Sequence, residues 1–264
     1  MVIPKIIWTF WHTEKEIPYV IKKCIQTWYR HCPDYDIHIV TPSNIYSYIS
    51  IDEFDVSKLK HAQMKQKLAD YIRINLLTKH GGIWLDASTI VTQSLDWVNA
   101  FKKDFVAFFM ESYTTDYDFP LIENGFFACS PNSLFVTLWR DEFMRSNLFN
   151  NIEDYLKNVF ENKSIMQNLK SRYDYLSMHV AAQYVFRVYF PGGRKQWQTY
   201  ISLLSAEKQF FKYLVDNGWD SVKSVNALAT NMTKYEESVF LIKLRRGERY
   251  YIANKRSLIN KIFT

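Results

Sequence analysis

The chain has 264 residues, enough to bury one sizeable core, and its 48% hydrophobic and 23% charged content excludes a disordered polymer. Lys and Arg exceed Asp and Glu by 33 to 27, a net charge of +6 that suits a phosphorylated substrate or an anionic surface and is too weak to indicate nucleic acid. Aromatic residues reach 17%, which supplies core bulk and flat faces for sugars or bases alike.

The opening residues, Met1 to Trp8, lack the basic start and long apolar core of a signal peptide. No apolar run in the chain is long enough to span a bilayer, so a cytoplasmic protein is expected. Ile3 to Trp8, behind Pro4, reads as a buried strand. Pro18 opens a helix in which Val20, Ile21, Cys24, Ile25 and Trp28 recur at helical spacing until Pro33 stops it. Tyr35 to Val40 is the next strand, and the β-α-β order predicts an α/β fold with a mainly parallel sheet. His61 to His80 reads as an amphipathic helix, with Leu68, Ala69, Ile72, Leu76 and Leu77 on one side and Gly81-Gly82 closing it. Ile83 to Leu85 is then a short buried strand with Asp86 at its carboxyl end, where α/β sheets place ligands. Phe105 to Met110 and Phe126 to Ser130 are further strands, and helices are expected at Ser133 to Phe149, Tyr175 to Tyr189 and Ser205 to Asp216. With no internal repeat and no Pro/Gly-rich linker, one domain is expected over residues 1–264. Its α/β part covers 1–130, and a mainly helical part over 131–264 packs on the sheet or covers the site.

Cys24, Cys32 and Cys129 are odd in number and lack C-x-x-C spacing, which argues against a disulfide framework or a zinc site and fits a reducing compartment. The sequons at Asn162 and Asn231 would accept sugar only in a secreted chain. Basic residues gather late in the chain, at Lys243, Arg245, Arg246, Arg249, Lys255, Arg256 and Lys261, interleaved with Tyr250, Tyr251 and Ile252. They read either as a solvated face or as a patch for a membrane surface.

Asp70 and Arg73 lie three apart on a helix and share a face, as a surface ion pair or as part of a ligand site. Asp86 stands at the rim of the core, where a lone charge is costly unless a cation or several donors satisfy it. A hard divalent metal would do this, and so would a capping role at the following turn.

Ile3-Pro4-Lys5-Ile6-Ile7-Trp8, Cys24 to Trp28, Asp70-x-x-Arg73, Gly81 to Ser88 and Glu123-Asn124-x-Phe126 together resemble the glycosyltransferase family of capsular polysaccharide synthesis proteins. That family is similar in turn to the initiating mannosyltransferases of yeast with their DxD sugar-binding region, and more distantly to the clostridial glucosylating toxins. The resemblance covers the N-terminal half and implies a GT-A-like, Rossmann-type nucleotide-binding domain. It implies a nucleotide-sugar donor, UDP- ahead of GDP-linked, and a glycan or lipid-linked oligosaccharide acceptor at the inner face of the membrane. It further implies transfer with retention and a divalent metal, Mn²⁺ ahead of Mg²⁺.

By the same resemblance Asp70 and Arg73 hold the donor sugar and phosphate. Asp86 places the metal, and Ser88, one residue beyond Ala87, stands as second ligand where the wider family has an acid. Glu123 and Asn124 sit near the transferred sugar, or form a polar turn. Trp8, ahead of Trp11, lies against the base, or is a core tryptophan. His179, with Gln183 one turn on, is a donor-binding candidate or a hydrogen-bonded core residue. Ser238 and Lys243 resemble the polar end segment that closes over the diphosphate, or are solvated surface. Two other functions stay open: a homologue that binds nucleotide or glycan without catalysis, which Ser88 in place of an acid would suit, and a scaffold of an envelope-assembly complex that docks through the basic, aromatic C-terminal stretch.

Overall fold

Short apolar runs alternate their side chains between two faces, and the sheet they build carries a core on each. The computed structural model describes residues 2–14, 16–61, 64–160 and 176–263. Its strands are β1 (Ile6–Phe10), β2 (Asp36–Val40), β3 (Gly82–Leu85), β4 (Thr89–Val91), β5 (Phe105–Phe109), β6 (Ile122–Cys129), β7 (Ile201–Ser205) and β8 (Leu241–Lys243). Six of them form a central sheet in the order β2-β1-β3-β6-β5-β7, in which only β6 runs against the rest. This is the mixed α/β fold with a mainly parallel sheet that the β-α-β order predicts. β4 and β8 pair apart from it as an antiparallel ribbon, with Thr89 opposite Lys243.

The helices are α1 (Tyr19–His31), α2 (Lys65–His80), α3 (Trp97–Ala100), α4 (Leu134–Arg145), α5 (Ile152–Phe160), α6 (Ser177–Tyr189), α7 (Arg194–Trp197), α8 (Lys212–Val215), α9 (Ser221–Ser238), α10 (Arg246–Ala253) and α11 (Arg256–Ile262). Ile7, Ile83, Leu85, Val106 and Phe108 share one core with α1 and the ribbon. Trp8, Trp84, Phe105, Ala107 and Phe127 share the other with α2, α4 and α6. No helix among the described residues is long and apolar enough to cross a membrane.

Four differences from the sequence-based expectations shape the site. First, α2 is not amphipathic: Lys67, Asp70 and Arg73 are buried along with Tyr71, Ile72, Ile74, Leu76 and Leu77. Its polar side faces other protein groups, so an apolar stripe was the wrong pattern to seek. Second, residues 205–216 do not form one helix. Ile201–Ser205 adds to the edge of β5, covering backbone groups that would otherwise lie open, and only the short α8 follows. Third, the second half supplies β7 and β8 as well as helices. Fourth, β6 begins at Ile122 rather than Phe126, and its register against β5 jumps from Ala107↔Phe127 to Phe108↔Glu123. That bulge releases Asn124 and Gly125 from β5, as bulges beside ligand sites commonly do. Of the other expected features, Tyr175 and the Asn162 sequon lie outside the described residues.

The turn from α2 into β3 requires its two glycines. Gly81 and Gly82 have φ of +64° and +93°, and a Cβ on either would come within 2.6 Å of backbone, at Pro131 N and Ile6 O respectively. β3 therefore starts hard against β1, and its four residues deliver Asp86 to the carboxyl edge of the sheet.

Candidate active site

Because β6 runs antiparallel, its beginning lies beside the end of β3. The Asp86 N–H donates to the Gly125 carbonyl at 3.0 Å. A cleft of about 1450 Å³ opens at this edge. Its floor is Asp70 and Arg73 from α2, Asp86, Ala87 and Ser88 after β3, and Asn124 from the β6 bulge. One wall carries Trp11 and Tyr19, and another carries Lys243, Arg246, Arg249 and Tyr250.

Arg73 is the hub. Its side chain is 6% exposed and its guanidinium lies 3.3 Å from Asp70 Oδ1 and 3.3 Å from Asp86 Oδ1. It also donates to the Asn124 carbonyl and stacks 4.8 Å from the Trp84 ring centroid. Trp84 Nε1 donates to Asp86 Oδ1 at 3.0 Å, and the Lys243 ammonium donates to Asp86 Oδ2. Asn124 Nδ2 donates to Asp70 Oδ1 at 3.2 Å. Each buried carboxylate thus has a cation and a neutral donor, the condition under which buried charge is tolerated.

The two aspartates are driven apart in acidity. Burial raises Asp70 to about 6, only partly opposed by Arg73 and Lys67, while the neighbouring Asp86 charge pushes it further up. Burial acts on Asp86 as well, but Lys243 and Arg73 outweigh it and hold its carboxyl at about 2. Such a split lets one carboxylate stay ionised while the other can change state near neutrality. Burial, then the positive Arg73 and Lys67, lowers His179 to about 3, so its imidazole is neutral. Glu123 is raised by burial, and its carboxylate accepts the Gly125 N–H at 2.9 Å.

Of the residues expected from sequence, Asp70, Arg73, Asp86, Ala87, Ser88, Asn124, Trp11, His179 and Lys243 meet at the cleft. Trp8 does not. It is 2% exposed, stacks on His38 at 4.6 Å and spends its indole N–H on the Gly81 carbonyl. It points to the α2 face of the sheet, while Trp11, just past the end of β1, reaches the cleft. Ser238 closes α9, its hydroxyl bonded to the Tyr235 carbonyl, and is not part of the lining. Glu123 stands behind Gly125 and is likewise outside the lining. Gln183 turns away from His179, donating to the Pro120 carbonyl at 2.8 Å.

The ribbon that carries Lys243 is strapped down by α1. Trp28 Nε1 donates to the Thr89 carbonyl at 2.7 Å, and the Val91 N–H donates to Thr27 Oγ1 at 2.9 Å. The Leu244 N–H then donates to the Ser88 carbonyl at 3.0 Å. Sequence reasoning missed the part played by Trp84, whose signal was its place two residues before Asp86. It also left the arginines of α10 as surface, although their i, i+3 spacing after Lys243 puts them on one face.

A family model described as capsular polysaccharide synthesis protein matches residues 2–230. The chain belongs to the capsular polysaccharide synthesis protein family. The match takes in the whole floor of the cleft and stops before Lys243 and α10. A curated relative, the O-glycosyltransferase braB of Annulohypoxylon truncatum, is 21% identical over 86% of this chain, and the chain spans 62% of that relative's length. Among solved structures, the PaToxG glycosyltransferase is 15% identical with a TM-score of 0.42, covering 99% of this chain and 85% of that one. The galactosyltransferase LgtC in complex with donor and acceptor sugar analogues is 12% identical with a TM-score of 0.44, covering 98% and 96%.

In this capsular polysaccharide synthesis protein Asp86 and Ser88 do come together at the cleft, but the donor set does not fit a resident divalent ion. At a diphosphate site such an ion needs one or two free carboxylates besides waters and phosphate oxygens. Both Asp86 oxygens already accept from nitrogen, Asp70 is engaged by Arg73 and Asn124, and Ser88 offers only a neutral hydroxyl. Among the described residues no three His, Cys, Asp or Glu side chains converge to hold a metal.

Proposed function

We propose that this chain transfers a sugar from a nucleotide-sugar donor, UDP- ahead of GDP-linked, to a hydroxyl of a glycan or lipid-linked glycan. The observation that carries the reading is the meeting of Asp70, Arg73, Asp86 and Asn124, drawn from three separate stretches, at the carboxyl edge of the parallel strands. Family membership supports it. In this reading residues 1–130 form the floor of the donor site, residues 131–264 help to frame the acceptor and add Lys243 and the α10 arginines to the donor side, and the work is done on the cytoplasmic side at the inner face of the membrane.

Breaking the bond from the anomeric carbon to the diphosphate leaves its electron pair on the departing oxygen. The acceptor oxygen forms the new bond, and its proton passes to the departing phosphate or to water. Attack from the side of the leaving group keeps the anomeric configuration. The ring carries positive charge as the bond breaks, which the Asp70 carboxylate favours, while Arg73 and Lys243 meet the negative charge on the diphosphate. Because these groups are already fixed to one another, little reorganisation is needed when charge develops. Trp11 and Tyr19 offer the flat faces for the base.

Calorimetry with UDP and with GDP tests the reading. One nucleotide should bind, and Asp86→Asn, which unties Lys243 from Arg73, should weaken it by about tenfold, or 1.4 kcal/mol. Failure of both nucleotides to bind the intact protein rejects it.

A further inference from the structure

The cleft holds more positive charge than its own acids require. On the floor Arg73 and Lys243 balance Asp70 and Asp86. Beyond them Arg246 and Arg249 line the same cleft and have no ion-pair partner among the described residues, whereas Arg245 between Lys243 and Arg246 is spent on Glu248 at 2.9 Å. Lys243 is not a loose surface lysine. Its side chain is 14% exposed, its backbone sits opposite Thr89 in the ribbon, and the next residue bonds back to Ser88. The chain has therefore aimed an ammonium at the carboxylate where a metal was expected and locked it there with backbone pairing.

Resting on the nucleotide-sugar reading above, we infer that the Lys243 ammonium, held by Asp86 and continued by Arg246 and Arg249, receives the donor diphosphate in place of a divalent cation. Lys243 and Arg73 together carry the two positive charges such an ion would bring. Adding the ion would press it against both of them at close range, where like charges repel strongly in a partly buried site. Lys243 makes and breaks no bond. Its ammonium offers one N–H donor to Asp86 and the others to the phosphate oxygens.

The experiment is UDP and GDP calorimetry on the intact protein in EDTA and in excess Mn²⁺, with the electron paramagnetic resonance signal of free aqueous Mn²⁺ recorded alongside. The preferred nucleotide should bind with the same affinity, within about twofold, in both conditions, and protein plus nucleotide should deplete the free Mn²⁺ signal no more than the same nucleotide does alone. Lys243→Met should weaken binding by about tenfold or more in EDTA, and Lys243→Arg should restore part of the loss. Thermal unfolding separates loss of fold from loss of charge. Arg246→Ala, on an exposed position of α10, gives a second check and should weaken binding in EDTA with the fold kept. Binding that appears only with Mn²⁺, a free-ion signal depleted beyond the effect of nucleotide alone, or undiminished affinity in a folded Lys243→Met would overturn the inference and leave the transferase reading standing. Absence of nucleotide binding in both conditions would remove both.

Discussion

The floor and the far wall of the cleft use charge in opposite ways. On the floor, Asp70 and Arg73 are closed in and Asp86 is partly so, and each is tied to at least two partners. On the wall, Arg246 and Arg249 stand on α10 without ion pairs among the described residues, and Tyr250 beside them is 74% exposed. The floor's desolvation cost is met during folding, so its groups arrive in place before any ligand does. The wall keeps its charge in water, adaptable and open to screening, and spends it only when an anion enters.

Removing the hub should break that contrast most severely. Arg73→Ala takes from Asp70 its ion-pair partner, leaving Lys67 as the nearby positive charge, and leaves Asp86 paired with Lys243. We expect a stability loss of about 3–5 kcal/mol in denaturant unfolding, together with loss of nucleotide binding. Next in size is Trp28→Phe, which orphans the buried Thr89 carbonyl and loosens the ribbon that presents Lys243. A cost of about 1–3 kcal/mol is expected, with nucleotide affinity falling although Trp28 is outside the cleft lining.

A titration sharpens the comparison further. Folded Asp70 keeps its proton to about 6, against an ordinary value of 3.8. The unfolded chain releases that proton first, so this residue's contribution to stability declines as pH rises from 3.8 to about 6 and is level above. Over the same upper range sugar transfer should rise as the carboxylate forms. The difference between wild type and Asp70→Asn, by unfolding and by rate at each pH, isolates both trends. The smallest effect belongs to the wall. Arg249→Ala should lower nucleotide affinity by only about fivefold, an effect that fades in high salt and leaves the unfolding midpoint unmoved.

The floor was the more legible of the two regions. Asp70-x-x-Arg73 and the run from Gly81 to Ser88 could be read because helix spacing and a four-residue strand fix where those side chains go. Trp8 was expected ahead of Trp11, yet Trp11 lines the cleft: both lie near the end of the same strand, and only packing against His38 decides which ring is covered. The bulge at Asn124 was hidden because Glu123-Asn124-Gly125 reads as a polar turn until β3 and β5 are placed on either side. β7 and β8 were missed for a related reason. Strands of five and three residues carry too little periodicity, and each is settled by the partner it finds. The arginines of α10 looked like surface because nothing local says that the helix lines the same cleft as Asp86.

The bond between Lys243 and Asp86 joins residues 157 positions apart. As the chain is made, Asp86 emerges beside Arg73 and Trp84 long before its second cation exists, and a long loop must close to bring the two together. The sheet's first three strands can therefore assemble while the cleft has only one of its two floor cations. On the transferase reading proposed above, competence to hold a diphosphate would then arrive only with the docking of the β4–β8 ribbon, so that an incompletely folded chain would have little means of capturing the donor.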